Sequence, residues 1–144
     1  MKNNKKNKFK NFLSLTYKEN ENIDKNFVLS SYGAKHIIIN HNKYKLPLCI
    51  LGNNIYSFKR NIKQITDINV NLIQNLMDEF YKIYDDMADI VLIGLTENLT
   101  SSVLELKSIC LKNKIPVDLM NFDSACRTTN ILNADRRKSI VIMI

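Results

Sequence analysis

The sequence has few of the residues on which common catalytic and metal-binding motifs depend. Its 144 residues include 3 glycines, 2 prolines, 2 histidines and 3 cysteines, and tryptophan is absent. So little glycine nearly excludes a glycine-rich phosphate-binding loop. Three cysteines without a Cys-x-x-Cys pair argue against a disulfide framework and against a cysteine-rich zinc site. No apolar run reaches about 18 residues, so we expect no transmembrane segment.

The polar residues that remain do not form a recognisable catalytic set. His36 and His41 are separated by a predicted turn, which is not a metal-ligand spacing on a helix. We interpret both as ordinary strand-edge residues. Asp85, Asp86 and Asp89 form an acidic cluster, for which a solvated linker is a simpler interpretation than a divalent-metal site. We therefore predict no catalytic residues, no metal and no cofactor.

The length and composition favour one packed domain inside a cell. With 45% apolar residues, the chain can bury a core, and wholesale disorder is not expected. No apolar segment follows the lysine-rich start, so we expect no secretory signal and a reducing compartment. The start also lacks arginine and therefore resembles a mitochondrial transit peptide only weakly. We expect a bacterial cytoplasmic protein, with the mitochondrial matrix as the alternative in a eukaryotic host.

The net charge of +7 is concentrated in the first third of the chain. Residues 1–45 carry 10 lysines and 3 acidic residues, whereas residues 46–144 carry 11 basic and 11 acidic residues. We predict a flexible Lys/Asn-rich arm over residues 1–22 and a single α/β domain over residues 23–144. The arm is either a solvated segment or a contact for an acidic partner, a membrane surface or nucleic acid. Because the rest of the chain is neutral, nucleic acid is the least expected of these partners.

Short apolar runs predict strands in the amino-terminal half. Residues 27–29, 36–39 and 48–51 are apolar and rich in β-branched side chains, and glycine and asparagine separate them. This punctuation is typical of an antiparallel meander. Over residues 69–87 the apolar positions instead recur in steps of three and four, which predicts an amphipathic helix. Asp67 or Asn69 is positioned to cap its start.

The carboxyl-terminal half alternates between strand and helix patterns. We predict strands at 90–94, 116–120 and 139–144, a helix from near Ser102 to 113, and a short helix from Ala125 to about Asn133. The spacing of Ser102 and Glu105 predicts a capping box at the start of the first helix. We expect that helix to bury Leu104, Ile109 and Leu111 or their neighbours. The predicted fold is an α/β domain whose mixed sheet has a parallel βαβαβ carboxyl-terminal half, flanked by helices and a smaller antiparallel layer.

One polar segment follows a predicted parallel strand at the edge where α/β sheets place their ligand crevices. Its candidate residues for a pocket or recognition surface are Asp123, Ser124, Cys126, Arg127, Thr128 and Asn130. If Cys126 lies in the first turn of a helix beside Arg127, backbone N–H groups and the guanidinium should lower the pKa of its thiol. The alternative is that Cys126 is a small buried packing residue. Both interpretations stay open at this point.

The carboxyl-terminal segments also carry a family resemblance. The matching stretches are 89–94, 115–120, 125–128 and 130–132, and a closing segment with Ala134, Asp135 and Arg137. Together they resemble the domain shared by the mitochondrial complex I assembly factor 3 family and small bacterial and archaeal proteins. The similarity covers about residues 23–144 and leaves the lysine-rich arm outside.

The resemblance implies both a fold and a role. It implies a compact mixed-sheet α/β domain and a non-enzymatic protein that helps to assemble the peripheral arm of respiratory complex I with a partner assembly factor. Our first hypothesis is therefore a binding protein whose partner is a complex I subunit or a companion factor. The second hypothesis is a small-ligand or thiol-dependent enzyme that uses the crevice at 123–130. Cys126 would then act as a nucleophile or a redox thiol, and Arg127 would bind an anionic group.

Overall fold

The computed structural model of the chain combines strands and helices in nearly equal measure among the residues that it describes. The model describes residues 13–15, 23, 26–33, 35–58, 62, 64–98 and 100–144. Within these ranges the strands are β1 (Leu13–Leu15), β2 (Leu29–Tyr32), β3 (His36–Ile39), β4 (Asn42–Lys45), β5 (Leu48–Leu51), β6 (Asn54–Phe58), β7 (Ile90–Leu95), β8 (Val117–Asn121) and β9 (Ser139–Met143). The helices are α1 (Val70–Tyr84), α2 (Ser101–Lys112) and α3 (Phe122–Ala134), and a 3-10 helix spans Ile65–Asp67.

The strands form two sheets. The larger sheet has six strands in the order β1-β6-β5-β9-β7-β8, and the smaller has three in the order β2-β3-β4. Strand β7 pairs in parallel with both β8 and β9, whereas β5 pairs antiparallel with β6 and β9. The predicted α/β fold, with a parallel carboxyl-terminal half and a smaller antiparallel layer, is confirmed.

Each face of the six-stranded sheet has its own apolar core. Side chains alternate between the two faces along every strand, so Ile93 of β7 packs on one face and Leu92 on the other. The first core joins the sheet to α1, α2 and the 3-10 helix. The second joins it to α3 and the three-stranded sheet. All five residues of β9 are buried, as its unbroken apolar pattern predicts.

Helix α1 follows directly from its sequence pattern. Asn69 is the N-cap, and its side-chain oxygen accepts a 2.8 Å hydrogen bond from the Leu72 N–H, which confirms one of the two predicted caps. Apolar side chains at positions 72, 73, 76 and 80 are buried against the sheet. The helix ends where Asp85 adopts a left-handed backbone conformation, with a φ of 53°.

The amino-terminal half departs from a single meander. Strands β2 and β3 pair as expected, but their third partner is β4, whose polar sequence NKYK did not indicate a strand. Strand β5 instead joins the large sheet between β6 and β9. Because β5 has no exposed face, it needs neighbours on both edges and cover on both sides, which only the large sheet provides.

Helix α2 also differs from its prediction. Its N-cap is Thr100, which makes no side-chain capping hydrogen bond, so the capping box predicted at Ser102 is wrong. The buried residues of α2 are Val103, Leu106 and Cys110. The prediction named Leu104, Ile109 and Leu111 or their neighbours, and residues next to them are the buried ones. Leu104 is 70% exposed, Ile109 40% and Leu111 77%.

The predicted flexible arm over residues 1–22 falls almost entirely outside the described residues. Of this segment the structure describes only β1, which pairs antiparallel with β6 so that Ser14 lies opposite Ser57. The flexibility of the rest and the domain boundary at residue 23 remain predictions. Among the described residues, none of the helices combines the length and the apolar character needed to cross a bilayer.

Candidate functional site

A cavity lies at the carboxyl ends of the parallel strands β7 and β8. It has a volume of about 380 Å³, and we call it the carboxyl-edge cavity. Its lining consists of Leu95, Thr96, Asn121, Phe122, Asp123 and Arg127. This edge of an α/β sheet is where such proteins place ligands, because the strands end there and the following helices begin. Asp123 and Arg127 belong to the set of site residues predicted from the sequence.

Two charged side chains give the carboxyl-edge cavity its chemistry. Asp123 and Arg127 are both exposed and lie one turn apart on α3. The Arg127 guanidinium donates a 3.1 Å hydrogen bond to the Ser124 hydroxyl, which uses one of its five N–H donors. The remaining donors can bind an anionic group, and the Asp123 carboxylate can accept hydrogen bonds from a ligand. This pair can bind and orient a polar molecule, but neither group is a ready nucleophile.

The helix that carries these residues begins earlier than the sequence indicated. We predicted that this helix begins at Ala125, but its N-cap is Asn121, whose side-chain oxygen accepts a 2.8 Å hydrogen bond from the Ser124 N–H. Helix α3 therefore begins at Phe122. Cys126 is its fifth residue and lies outside the first turn, beyond the backbone N–H groups that would stabilise a thiolate.

The thiol of Cys126 is protected and protonated. Its side chain is 4% exposed and packs in the core between α3 and the sheet. Burial, reinforced by the negative charge of Asp123, raises the pKa of the Cys126 thiol to about 11, against a smaller lowering by Arg127. The prediction of a lowered pKa is therefore wrong. The environment matches the alternative interpretation, in which Cys126 is a small packing residue.

Two other candidate residues are engaged in structural contacts. The Thr128 hydroxyl donates to the Met120 sulfur at 3.3 Å, which ties α3 to β8. The Asn130 carboxamide accepts from the Leu29 N–H at 2.8 Å and donates to the Leu29 carbonyl at 2.9 Å. The Asn130 amide thereby bonds the backbone of β2 in the way that an adjacent strand would. Of the six predicted site residues, only Asp123 and Arg127 line the carboxyl-edge cavity.

The other cysteines and the acidic cluster do not form a thiol or metal site in the described part of the chain. Cys49 and Cys110 are buried, and burial raises the pKa of both thiols. Asp86 and Asp89 form surface ion pairs with Lys138 and Arg137, respectively. No group of three or more His, Cys, Asp or Glu side chains among the described residues is placed to hold a metal ion.

A second, larger cavity was not predicted from the sequence. It has a volume of about 530 Å³ and lies where α1 and α3 end, at the opposite end of the sheet, so we call it the helix-end cavity. Its lining consists of Asn26, Gly52, Asn53, Phe80, Tyr84, Asp86, Asn133, Arg136, Arg137, Lys138 and Ser139. These residues come from four separate stretches of the chain. No local pattern connects them, so the sequence carried no signal for this cavity.

Tyr84 organises one wall of the helix-end cavity. Its hydroxyl lies 2.7 Å from the Leu51 carbonyl, to which it donates, and it accepts a 3.1 Å hydrogen bond from the Asn53 N–H. Burial raises the pKa of Tyr84, against a smaller lowering by the Asn53 N–H. Gly52 is required beside it, because a Cβ atom at that position would lie 2.5 Å from the tyrosine oxygen and the backbone φ is +63°.

Comparison with known families and structures places this geometry in context. The family model described as a protein of unknown function (DUF498/DUF598) matches residues 29–144. A comparison of the sequence with functionally curated proteins finds no match.

Several solved structures share the fold. One is a Rhodopseudomonas palustris protein, with a TM-score of 0.62 and 16% identity, covering 91% of this chain and 92% of that one. Another is a Bordetella pertussis protein described as an Mth938-like domain, with a TM-score of 0.59 and 17% identity over 88% of this chain and 90% of that one. A third is described as an outer membrane protein from Bartonella henselae, with a TM-score of 0.58 and 20% identity over 82% and 93% of the two chains. At these identities the likeness establishes the fold alone.

Proposed function

This chain belongs to the DUF498/DUF598 family of proteins of unknown function, and from that premise we propose that it is a non-enzymatic binding protein. In its finer form, the proposal is that the protein assists assembly of the peripheral arm of respiratory complex I. The resemblance to the complex I assembly factor 3 family supports this finer form. The partner is then a complex I subunit or a companion assembly factor, met in the bacterial cytoplasm or, in a eukaryotic host, in the mitochondrial matrix.

The observation that carries the proposal is the exposed apolar surface of helix α2. Leu104 and Leu111 are 70% and 77% exposed. They are seven residues apart, so both side chains lie on the same side of the helix. Large apolar side chains presented together at a surface are typical of protein contact sites. A subunit awaiting assembly exposes apolar surface of its own, which this side of α2 can cover.

The chemistry of the carboxyl-edge cavity also favours binding over catalysis. Its charged groups, Asp123 and Arg127, can make hydrogen bonds and ion pairs. The candidate nucleophile, Cys126, is buried and protonated at neutral pH. A thiolate is the reactive form of cysteine, so this environment opposes covalent catalysis by Cys126.

The lysine-rich arm fits the same proposal. Residues 1–22 carry 6 lysines and 2 acidic residues, and this positive charge would increase the rate of encounter with an acidic or membrane-proximal partner. Recognition of nucleic acid is the least supported role for the arm, because residues 46–144 carry 11 basic and 11 acidic residues and so add no net positive charge.

Affinity purification with mass spectrometry from the native cell tests the proposal. The full-length chain should recover complex I subunits or a companion assembly factor. Leu104→Glu and Leu111→Glu, tested separately, should each reduce that recovery by about tenfold, because they place a charge in the contact. Met87→Glu is the matched control: Met87 is 63% exposed but lies in the loop after α1, so this variant should recover the partner normally.

Two outcomes would contradict the proposal. If the full chain recovers neither a complex I subunit nor a companion factor, and complex I is intact in a deletion strain, the assembly role is wrong. If the α2 variants recover the partner as well as Met87→Glu does, the exposed leucines are not the contact. A measurement of thermal unfolding for each variant separates lost contact from lost fold.

A second candidate function is a small-ligand protein or a thiol-dependent enzyme that uses the 123–130 crevice. The carboxyl-edge cavity favours the small-ligand form, since its volume of about 380 Å³ suits a small molecule and Arg127 suits an anionic group. The enzymatic form requires Cys126 as an accessible thiolate, and the burial of its side chain opposes that form. The pH dependence of Cys126 alkylation therefore separates the two forms.

A further inference from the structure

The turn that ends helix α3 places three consecutive basic residues beside the helix-end cavity. Arg136, Arg137 and Lys138 all line it. The Arg137 guanidinium pairs with the Asp89 carboxylate at 3.4 Å, and Lys138 pairs with Asp86. Within the described part of the chain, the Arg136 side chain makes no hydrogen bond or ion pair, so its charge is available to a ligand.

The backbone at Arg136 is in a conformation that favours glycine. Its φ is +55°, its N–H donates to the Asn133 carbonyl at 3.0 Å, and the Arg137 N–H donates to the Leu132 carbonyl at 2.9 Å. This is the Schellman arrangement of a helix end, in which the left-handed residue is usually glycine because a Cβ atom destabilises that conformation. An arginine at this position costs stability relative to glycine.

Helix α2 ends in the same way and provides an internal comparison. Lys114 has a φ of +58°, its N–H donates to the Leu111 carbonyl at 3.1 Å, and the Ile115 N–H donates to the Cys110 carbonyl at 2.9 Å. A basic residue at a helix carboxyl terminus interacts favourably with the helix dipole, which accounts for a positive charge at both positions. Lys114 lines neither of the two cavities. The cavity is therefore what distinguishes Arg136.

We propose that the helix-end cavity binds a small organic anion through the guanidinium of Arg136. The volume of about 530 Å³ is in the range of small-molecule sites. Three cations and one carboxylate, Asp86, line it. After Asp89 is counted as the partner of Arg137, one positive charge stays uncompensated. The planar fork of arginine matches the oxygen pairs of carboxylates and phosphates, so the anionic group belongs to one of these two types.

Titration of the full-length chain with inorganic phosphate and with succinate tests this proposal. Binding is followed by isothermal calorimetry in buffer with physiological salt, which suppresses unspecific surface binding. At least one probe should bind saturably to the wild-type protein. Arg136→Gly should weaken that binding by about tenfold, as expected for loss of a charge-assisted hydrogen bond.

Lys114→Gly is the matched control, because it removes the same charge and the same backbone strain at the equivalent helix end. It should bind the probe like the wild-type protein. Both glycine variants should raise the Tm by about 3 °C, since glycine relieves the left-handed strain. Weaker binding in a protein that has become more stable cannot be attributed to unfolding.

The outcomes are distinct. Binding of phosphate alone or of succinate alone supports the proposal and identifies the anionic group. The proposal is overturned if neither probe binds the wild-type chain below about 10 mM. It is equally overturned if Arg136→Gly and Lys114→Gly bind the probe with the same affinity.

Discussion

The two faces of the six-stranded sheet are covered by different means. On one face, α1 and α2 pack apolar side chains against the strands. On the other face, α3 and the three-stranded sheet form the cover, and the amides of Asn130 and Asn133 fasten α3 to the backbone of residues 29 and 27. The helical cover rests on a local apolar stripe, whereas the second cover also depends on hydrogen bonds between residues that are more than 100 positions apart. The apolar stripe of a helix can be predicted from one segment of the sequence, whereas hydrogen bonds between distant segments cannot.

The largest effect should come from the face of the sheet that α1 and α2 cover, which we call the helical face. Leu76 of α1 is fully buried, so Leu76→Ala should lower the free energy of unfolding by about 2–5 kcal/mol through lost burial and a residual cavity. Ile83 on the same helix is 37% exposed, and Ile83→Ala should cost about 0.5 kcal/mol or less. Urea denaturation measures both values. Similar costs for the two variants would mean that this face is not packed as described.

A smaller effect should come from the face that α3 and the three-stranded sheet cover, which we call the amide-fastened face. Asn130→Ala leaves the Leu29 N–H and carbonyl without their partner, which should cost about 1–3 kcal/mol. Hydrogen exchange should accelerate at the Leu29 amide, since that group loses its acceptor. Asn113→Ala is the control, because the Asn113 amide donates at 2.8 Å to the Ile109 carbonyl at an exposed helix end. If exchange at Leu29 is unchanged in Asn130→Ala, the two faces do not differ in the way that we infer.

The smallest effect concerns the thiol on the same face. Because the pKa of Cys126 is raised from 9.0 to about 11, the folded protein holds this proton more tightly than the unfolded chain does. The free energy of unfolding should therefore fall as the pH rises from about 9 to about 11, and the fall should be smaller in Cys126→Ala.

Alkylation of Cys126, followed by peptide mass spectrometry, provides the direct measurement. Its rate should rise with a midpoint near pH 11, well above that of an ordinary thiol. A midpoint below pH 8.5 would contradict the burial of Cys126. That result would restore the thiol-dependent enzyme as a candidate function.

The sequence predicted the helical face better than the amide-fastened face. The stripe of α1 and its Asn69 cap follow from spacing within about four turns of helix. Strand β4 escaped prediction because its sequence is polar on one side of a small sheet, and Tyr44 is its only buried residue. Strand β5 was assigned to the wrong sheet, since a fully apolar run does not reveal which strands lie beside it.

The residues of the candidate site also differ in how well the sequence predicted their roles. The sequence predicted a crevice at the end of β8, because a strand followed by a helix implies a sheet edge there, and two of the predicted residues, Asp123 and Arg127, line the cavity at that edge. It did not reveal that Asn130 and Thr128 make structural contacts, and it left open whether Cys126 is buried. It gave no sign of the helix-end cavity, whose lining comes from four stretches of the chain.

The sequence by itself determined the order and kind of the elements in residues 69–144, because helical and strand periodicities are properties of neighbouring residues. Only the tertiary structure decided which polar side chains are consumed by the fold and which remain available to a ligand. Asn130 finds its partner about a hundred residues away, whereas Arg127 and Arg136 border open cavities. That distinction depends on which distant segments of the chain the fold brings into contact.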